Sequence, residues 1–346
     1  MENQYFHRVN KLSPTRFWIN NPTPHEARLA IAAGAINCTT NPTYSAKMIK
    51  DAEMKGNALK IIKDAIIETS DDQKAAGMVQ QMLINHLLDI FLPLYEKNPG
   101  KEGFVSLQGN PFTDQDANQI IEEALIYRRS GKNFIAKIPV TKAGITAMEE
   151  LIPENIPIIA TEVMAISQAI TACEMYRRVS GRCQKYPPFF VTHITGILDD
   201  YLNSVVIRDN IDIGSDILWQ AGCIVARKQY RILKERNYPG IMLGGGARGL
   251  HHFTEMVGSD MHITINWKGT SDKLIEIDPP VVYRIDTPAP QHVVDELLEK
   301  IPDFKKAYQE DDLASDEFED FGPVVLFRNI FIKGWEELVR SIEKHR

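Results

Sequence analysis

Cysteine is scarce in this 346-residue chain, and the few present form no pattern. Cys38, Cys173, Cys183 and Cys223 lack the spacing of a disulfide framework or a zinc site, which points to a reducing compartment. No run of about 18 apolar residues occurs, so no membrane-crossing helix and no membrane partner are expected. The start, Met1 to Thr15, carries charges and no apolar block. That excludes a standard signal peptide and makes the cytoplasm the expected location. A phosphate backbone needs a basic stripe; with a net charge of −7 and none visible, nucleic acid is not an expected partner. No Gly-x-Gly-x-x-Gly follows an early strand, which counts against a dinucleotide site, and no cofactor is expected. Oligomeric state is left open, a homo-oligomer included.

What is present is enough apolar material, 44% of residues, for one large core. Short apolar runs bounded by turn residues predict strands at Thr15 to Asn20, Ala35 to Cys38, Gly103 to Gln108, Phe134 to Val140, Ile156 to Ala160, Phe189 to Thr192, Gly240 to Leu243 and Met261 to Ile265. Helical spacing fills the gaps: from Pro24, Ala58 to Glu96, Asp114 to Arg129, from Ala143, Met164 to Val179, and Ile197 to Glu235 with soft interruptions near Asn210 and Gly214. Eight strands alternating with helices predict a (β/α)8 (TIM) barrel over about residues 15–278, within a single domain. Residues 279–346 then form a helical extension that packs back on it. A linker at Asp286–Pro290 opens the extension, a helix covers Gln291 to Lys300, and the acidic run from Glu310 to Asp320 reads as a solvated loop. A final helix from Pro323 puts Phe327, Phe331, Trp335, Leu338 and Ile342 on one face.

The odd residue is Lys137, set in the strand Phe134–Val140. In water, with a pKa of about 10.4, only about one lysine amine in a few thousand is free at neutral pH. Burial lowers that value because the ammonium form loses most, so a lysine facing a barrel lumen can become a nucleophile. A lysine that snorkels from a strand end is the plainer alternative. The carboxyl ends of the strands, where barrels place their chemistry, carry Asn20, Asn41, Gln108, Thr161, His193 and Arg248. Gly244–Gly249 is a glycine cluster containing Arg248, suited either to an anion or to a tight turn. His251, His252 and His262 lack matching carboxylate spacing, and neighbouring side chains diverge, so no metal site is expected.

Cys38-Thr39-Thr40-Asn41-Pro42-Thr43 and Ala136-Lys137-Ile138-Pro139-Val140-Thr141, in this order, resemble the transaldolase family, which includes the fructose-6-phosphate aldolases. The likeness runs from about Phe17 to Trp267, and the ending Gly322–Arg328 with Trp335 looks like longer transaldolases. The resemblance implies that Lys137 forms a Schiff base with a sugar phosphate. Asn41, with Thr40 and Asn20 beside it, would hold the dihydroxyacetone unit. Thr161 would hold a catalytic water, and Gly246 and Arg248 would bind phosphate. Gln108 falls where transaldolases have a glutamate and the aldolase branch a glutamine.

Several positions depart from the family. Asn20 stands where a proton-transferring aspartate is expected, Gly196 where a second phosphate arginine is expected, and Val191 where a small or hydroxyl residue meets the three-carbon unit. His193 falls where transaldolases carry phenylalanine. With an unperturbed pKa of about 6.5, it is the expected proton shuttle, together with Gln108 and Thr161; a histidine bonded near the strand end without chemistry is the alternative. Glu162, next to Thr161, is expected to point away from the lumen if its strand is regular. Three activities remain open: a transaldolase, an aldolase that releases the three-carbon unit, and a sugar-phosphate binder without catalysis.

Overall fold

Eight parallel strands close into a barrel in chain order, with the eighth returning to pair with the first. They are β1 (Arg16–Asn20), β2 (Asn37–Thr39), β3 (Val105–Gln108), β4 (Phe134–Pro139), β5 (Ile158–Val163), β6 (Phe189–Ile194), β7 (Ile241–Gly245) and β8 (His262–Ile265). The computed structural model describes residues 4–346, so the first three residues of the charged Met1–Thr15 start lie outside the described residues. Among the described residues no helix is long and apolar enough to cross a membrane.

Every residue of β3, β4, β5 and β6 is buried, as a parallel sheet covered on both faces requires. Alternation divides those residues between two cores. Trp18, Phe104, Ile135, Ile159, Phe190 and Leu243 form a plug on the inside. Their neighbours Phe17, Ala136, Ile158, Ala160, Val191 and Met242 belong to the larger core between strands and helices. Side chains two residues beyond the plug therefore form the next inward layer, toward the carboxyl ends. The plug fixes the phase of the site above it.

Local signals explain the helix starts. Thr23 and Glu26 form a capping box ahead of the helix Pro24–Ala32, with Thr23 N donating to Glu26 Oε2 at 2.8 Å and Glu26 N to Thr23 Oγ1 at 3.1 Å. The helical stretch expected over Ala58 to Glu96 is two helices, Lys55–Glu68 and Asp72–Lys97, because Asp71 caps a new start by accepting from the N–H groups of Gln73 and Lys74. The stretch from Ile197 to Glu235 divides into Thr195–Arg208, Ser215–Leu218 and Ala221–Glu235, broken where Asn210 takes a left-handed φ of 49°.

The acidic run near Glu310 differs from the expected solvated loop. Leu313 and Phe318 within it are buried, and Glu310, Asp312 and Glu317 pair with Arg236, Lys305 and Lys306. Two apolar anchors outweigh the acidic composition. The last helix, Gly322–His345, buries Phe327, Phe331, Trp335, Leu338 and Ile342. It packs on the helices Thr43–Lys50 and Asp72–Lys97, where Trp335 Nε1 donates to Gln73 Oε1 at 2.7 Å.

Trp335→Ala removes a fully buried indole from this contact and is expected to lower stability by about 3–5 kcal/mol. Urea unfolding followed by circular dichroism measures it. A loss below roughly 1 kcal/mol would mean that the helix is not anchored here.

Candidate active site

Lys137 lies two residues beyond the plug residue Ile135 on β4, so its side chain rises into the lumen. Only 7% of it is exposed. Its Nζ sits 5.7 Å from the centre of the Phe331 ring, which the last helix carries across the barrel mouth. No hydrogen bond or ion pair within 4.0 Å holds that nitrogen among the described residues. Burial lowers the amine pKa to about 8, with the charge of Glu162 acting in the opposite direction. The amine opens on a cavity of about 180 Å³ whose polar lining includes Asn20, Asn41, Thr39, Thr192, Thr264 and Arg248. Phe327, Ile330 and Phe331 supply an apolar roof.

The amides on the β1–β2 side are held firmly. Asn20 donates through Nδ2 to Asn266 Oδ1 at 2.9 Å and accepts from Thr39 Oγ1 at 2.9 Å. The Thr39 and Thr264 hydroxyls lie 2.6 Å apart. Asn41 Oδ1 accepts from Thr43 N at 3.0 Å and Thr43 Oγ1 at 2.6 Å, leaving its amide nitrogen as an unclaimed donor at the cavity wall.

Two sequence expectations fail on phase. Thr40 turns away from the cavity: its hydroxyl donates to Ser106 O at 2.5 Å and its N–H to Ser106 Oγ at 3.0 Å. Thr39 faces inward instead. His193 is on the outer side of β6, because the inward positions after Phe190 are Thr192 and Ile194. Its fully buried imidazole lies toward the backbone of Gly222 and Val163, without a well-formed hydrogen bond at either ring nitrogen. Burial first, then nearby His252, depresses its pKa to about 4, and a neutral ring behind the strand cannot shuttle protons in the lumen. Val191 likewise faces outward, and Thr192, whose hydroxyl has no partner, takes the inward place.

Glu162 shows the opposite departure. Pairing of β5 with β6 slips between Ala160 and Val163, and Glu162 takes a φ of 60° that side chains rarely adopt. The expectation of an outward side chain assumed a regular strand, and the irregularity brings the carboxylate to Gln108. Gln108 Nε2 donates to Glu162 Oε1 at 2.8 Å, while Glu162 Oε2 and the side-chain oxygen Oε1 of Gln108 are buried without partners. Gln108 is itself the β3 neighbour of Lys137 in register. Burial raises the Glu162 pKa to about 7, helped by the charge of Asp114 and opposed by Gln108, Arg328 and Lys137. Asp114 is 3.2 Å from Arg328 of the last helix, and burial raises its own pKa to about 6. Thr161, two beyond the plug residue Ile159, has a buried hydroxyl with no partner.

At the far wall Gly246 adopts a φ of 66°, and Arg248 turns its half-exposed guanidinium to Asp200, with Nε at 2.5 Å from Oδ2. The backbone N–H groups of Arg248 and Gly249 donate to His252 Nδ1 at 2.9 and 3.3 Å. His252 Nε2 is in turn 2.7 Å from buried Asp199. This His–Asp pair clamps the loop. A side chain at Gly196 would collide with the Gly246 carbonyl, so that position is compelled to be glycine by close approach. Ile194 and Ile197 make the nearby wall apolar.

The ligand atoms of Cys223, His251 and His252 lie within 4.8 Å of one another, and the two adjacent imidazoles converge to 4.0 Å between ring centres rather than diverging. Both nitrogens of His252 are already engaged, and burial pushes the Cys223 thiol well up. A metal would have to dismantle the loop clamp, so this set does not fit one. His262 is elsewhere, accepting from Trp18 Nε1 at 2.9 Å beside the plug.

The residues missed at first, Thr39, Thr192, Thr264 and Asn266, carry only the signal of alternation counted from a correct strand phase. Glu162 carried a stronger one, an acidic residue inside an apolar strand.

Curated proteins similar to this chain include a transaldolase of Neisseria meningitidis, 26% identical over 181 residues that cover 49% of this chain and 51% of that protein. A transaldolase of Trichodesmium erythraeum is 28% identical over 193 residues, covering 50% and 49%. One of Mycobacterium bovis is 23% identical over 220 residues, covering 58% and 55%. The matched stretch spans about half the length of these relatives. The family model described as Transaldolase/Fructose-6-phosphate aldolase matches residues 18–314. That match runs from β1 through the barrel and into the C-terminal extension, and by it the chain belongs to the transaldolase/fructose-6-phosphate aldolase family.

Proposed function

We propose that this chain is a cytoplasmic Schiff-base enzyme that transfers a dihydroxyacetone unit from a ketose phosphate to an aldose phosphate, with Lys137 as nucleophile. The observation that carries the reading is a buried, unpaired amine with its pKa lowered to about 8, facing a polar-lined cavity that Arg248 also lines. At that value about one amine in ten is free at neutral pH, against about one in a few thousand in water.

Chemically, the free amine adds to the ketone carbon, and loss of water leaves a protonated imine. The bond between the third and fourth carbons then breaks: its electron pair moves into the iminium to give an enamine, the hydroxyl on the fourth carbon gives up its proton through water, and an aldehyde leaves. Attack of the enamine on a second aldehyde, whose oxygen takes up the proton released in cleavage, and hydrolysis of the imine complete the transfer. Asn41 offers an amide N–H to the bound three-carbon unit, and Asn20 and Thr192 line the same cavity. Arg248 is the cationic group for the distal phosphate, with Asp200 as its resting partner.

An aldolase is the second reading, favoured by the amide of Gln108 where transaldolases carry a carboxylate. The transferase is preferred because Phe327, Ile330 and Phe331 roof the amine. An apolar roof keeps water from protonating the enamine before an acceptor arrives.

Incubation with fructose 6-phosphate followed by borohydride is expected to fix a three-carbon or six-carbon adduct on the peptide containing Lys137, read by mass spectrometry. Lys137→Met is expected to give none and to lose turnover by at least roughly a thousandfold. Turnover that depends on an aldose phosphate acceptor marks the transferase, and free dihydroxyacetone marks the aldolase. Absence of adduct across a panel of ketoses would leave only a binder.

The amine also has a pH signature. Because its pKa is lowered, reductive methylation of Lys137 by formaldehyde and cyanoborohydride should outpace that of exposed lysines, and should fall as pH drops through about 8. Peptide mapping after timed labelling checks this. A Lys137 that labels no faster than exposed lysines at neutral pH contradicts the reading.

A further inference from the structure

We infer that Glu162 is the acid–base partner of Lys137, taking a proton from its ammonium and delivering it to the carbinolamine hydroxyl, which then leaves as water. The inference rests on the imine reading above. It assigns to β5 a task for which the lumen ends of β1 and β3 offer only the amides of Asn20 and Gln108.

Three independent features converge on this residue. The backbone is distorted for it: the pairing of β5 slips between Ala160 and Val163, and Glu162 holds a positive φ without being glycine. Such conformations persist where the surroundings enforce them, and they cluster at working sites. Next, the carboxylate is wholly buried, with Oε1 fixed by Gln108 Nε2 at 2.8 Å and Oε2 left without a partner. A carboxylate present only for packing would have both oxygens satisfied. Finally, among the described residues Glu162 is the one charge that acts appreciably on Lys137, and no ion pair within 4.0 Å joins them. The proton would pass between the two groups through a water or a substrate oxygen.

The proton count closes. A carboxylate and an ammonium exchange one proton to give a carboxylic acid and a free amine. The amine adds to the ketone, the acid protonates the departing hydroxyl, and the products are iminium, water and the original carboxylate. Besides Lys137, the charged groups acting on Glu162 are Asp114, which favours its protonated form, and Arg328, which opposes it. With values of about 7 for Glu162 and about 8 for Lys137, the pair carries its single working proton in a narrow window and titrates as a unit.

The test is Glu162→Gln, which keeps the size of the side chain. Stopped reactions with fructose 6-phosphate and borohydride give the rate of adduct formation on Lys137 as a function of pH. Wild type is expected to peak between about 7 and about 8 and to decline on both sides. The variant is expected to form adduct at least roughly a hundredfold more slowly and to lose the alkaline decline. Moving the carboxylate across the hydrogen bond, as Gln108→Glu with Glu162→Gln, is expected to recover part of the rate. Adduct in both proteins at equal rates, or an alkaline decline that survives in Glu162→Gln, overturns the assignment while leaving Lys137 in place. If the variant does not fold, as judged by circular dichroism, the wild-type profile decides, and a rate that keeps rising above pH about 8 overturns it. No adduct in wild type with any ketose removes the imine reading and this inference together.

Discussion

The structure depends on keeping one amine out of water. Moving the Lys137 pKa from 10.5 to about 8 corresponds to roughly 3 kcal/mol of preference for the neutral form in the folded chain. Because the folded value lies below the unfolded one, this is a destabilisation. It is felt in full below pH about 8 and disappears as pH rises toward 10.5. The barrel has to supply the difference elsewhere, and it does so with the aromatic plug beneath the lysine and the buried face of the last helix above it. Neither alone would exclude solvent, since the plug closes one end of the lumen and Phe331 covers the other.

Around that amine the polar groups fall into two sets according to how they are held. Asn20, Thr39, Thr264 and Asn266 form a chain of mutual hydrogen bonds, and the glycine loop is tied to Asp199 through His252. These are preset, and a ligand finds them in place. Arg248 and Asp200 are the contrast: both are half-exposed and bound to each other, so binding an anion there means exchanging one partner for another. Their attraction is worth little in solvent, and the exchange is correspondingly easy.

The sequence showed the barrel because each strand is a short apolar run ended by polar residues, and it showed Lys137 because a charge inside such a run has few explanations. What it could not show was phase. A strand read one residue late exchanges inside for outside, which is why Thr40 and His193 stood in for Thr39 and Thr192. Nor could it show the slip in β5. Alternation put Glu162 outside, and only the register irregularity and the left-handed backbone bring it to Gln108. The acidic run was misread for a related reason: composition averages over a segment, while Leu313 and Phe318 hold it at two points.

The roof of the chamber comes from the far end of the chain. β8 closes the barrel at Ile265, whereas Phe327, Ile330 and Phe331 arrive only with the helix Gly322–His345. The strands alone therefore leave one face of the lysine open, and the seating of a helix remote in sequence governs how much solvent reaches the amine.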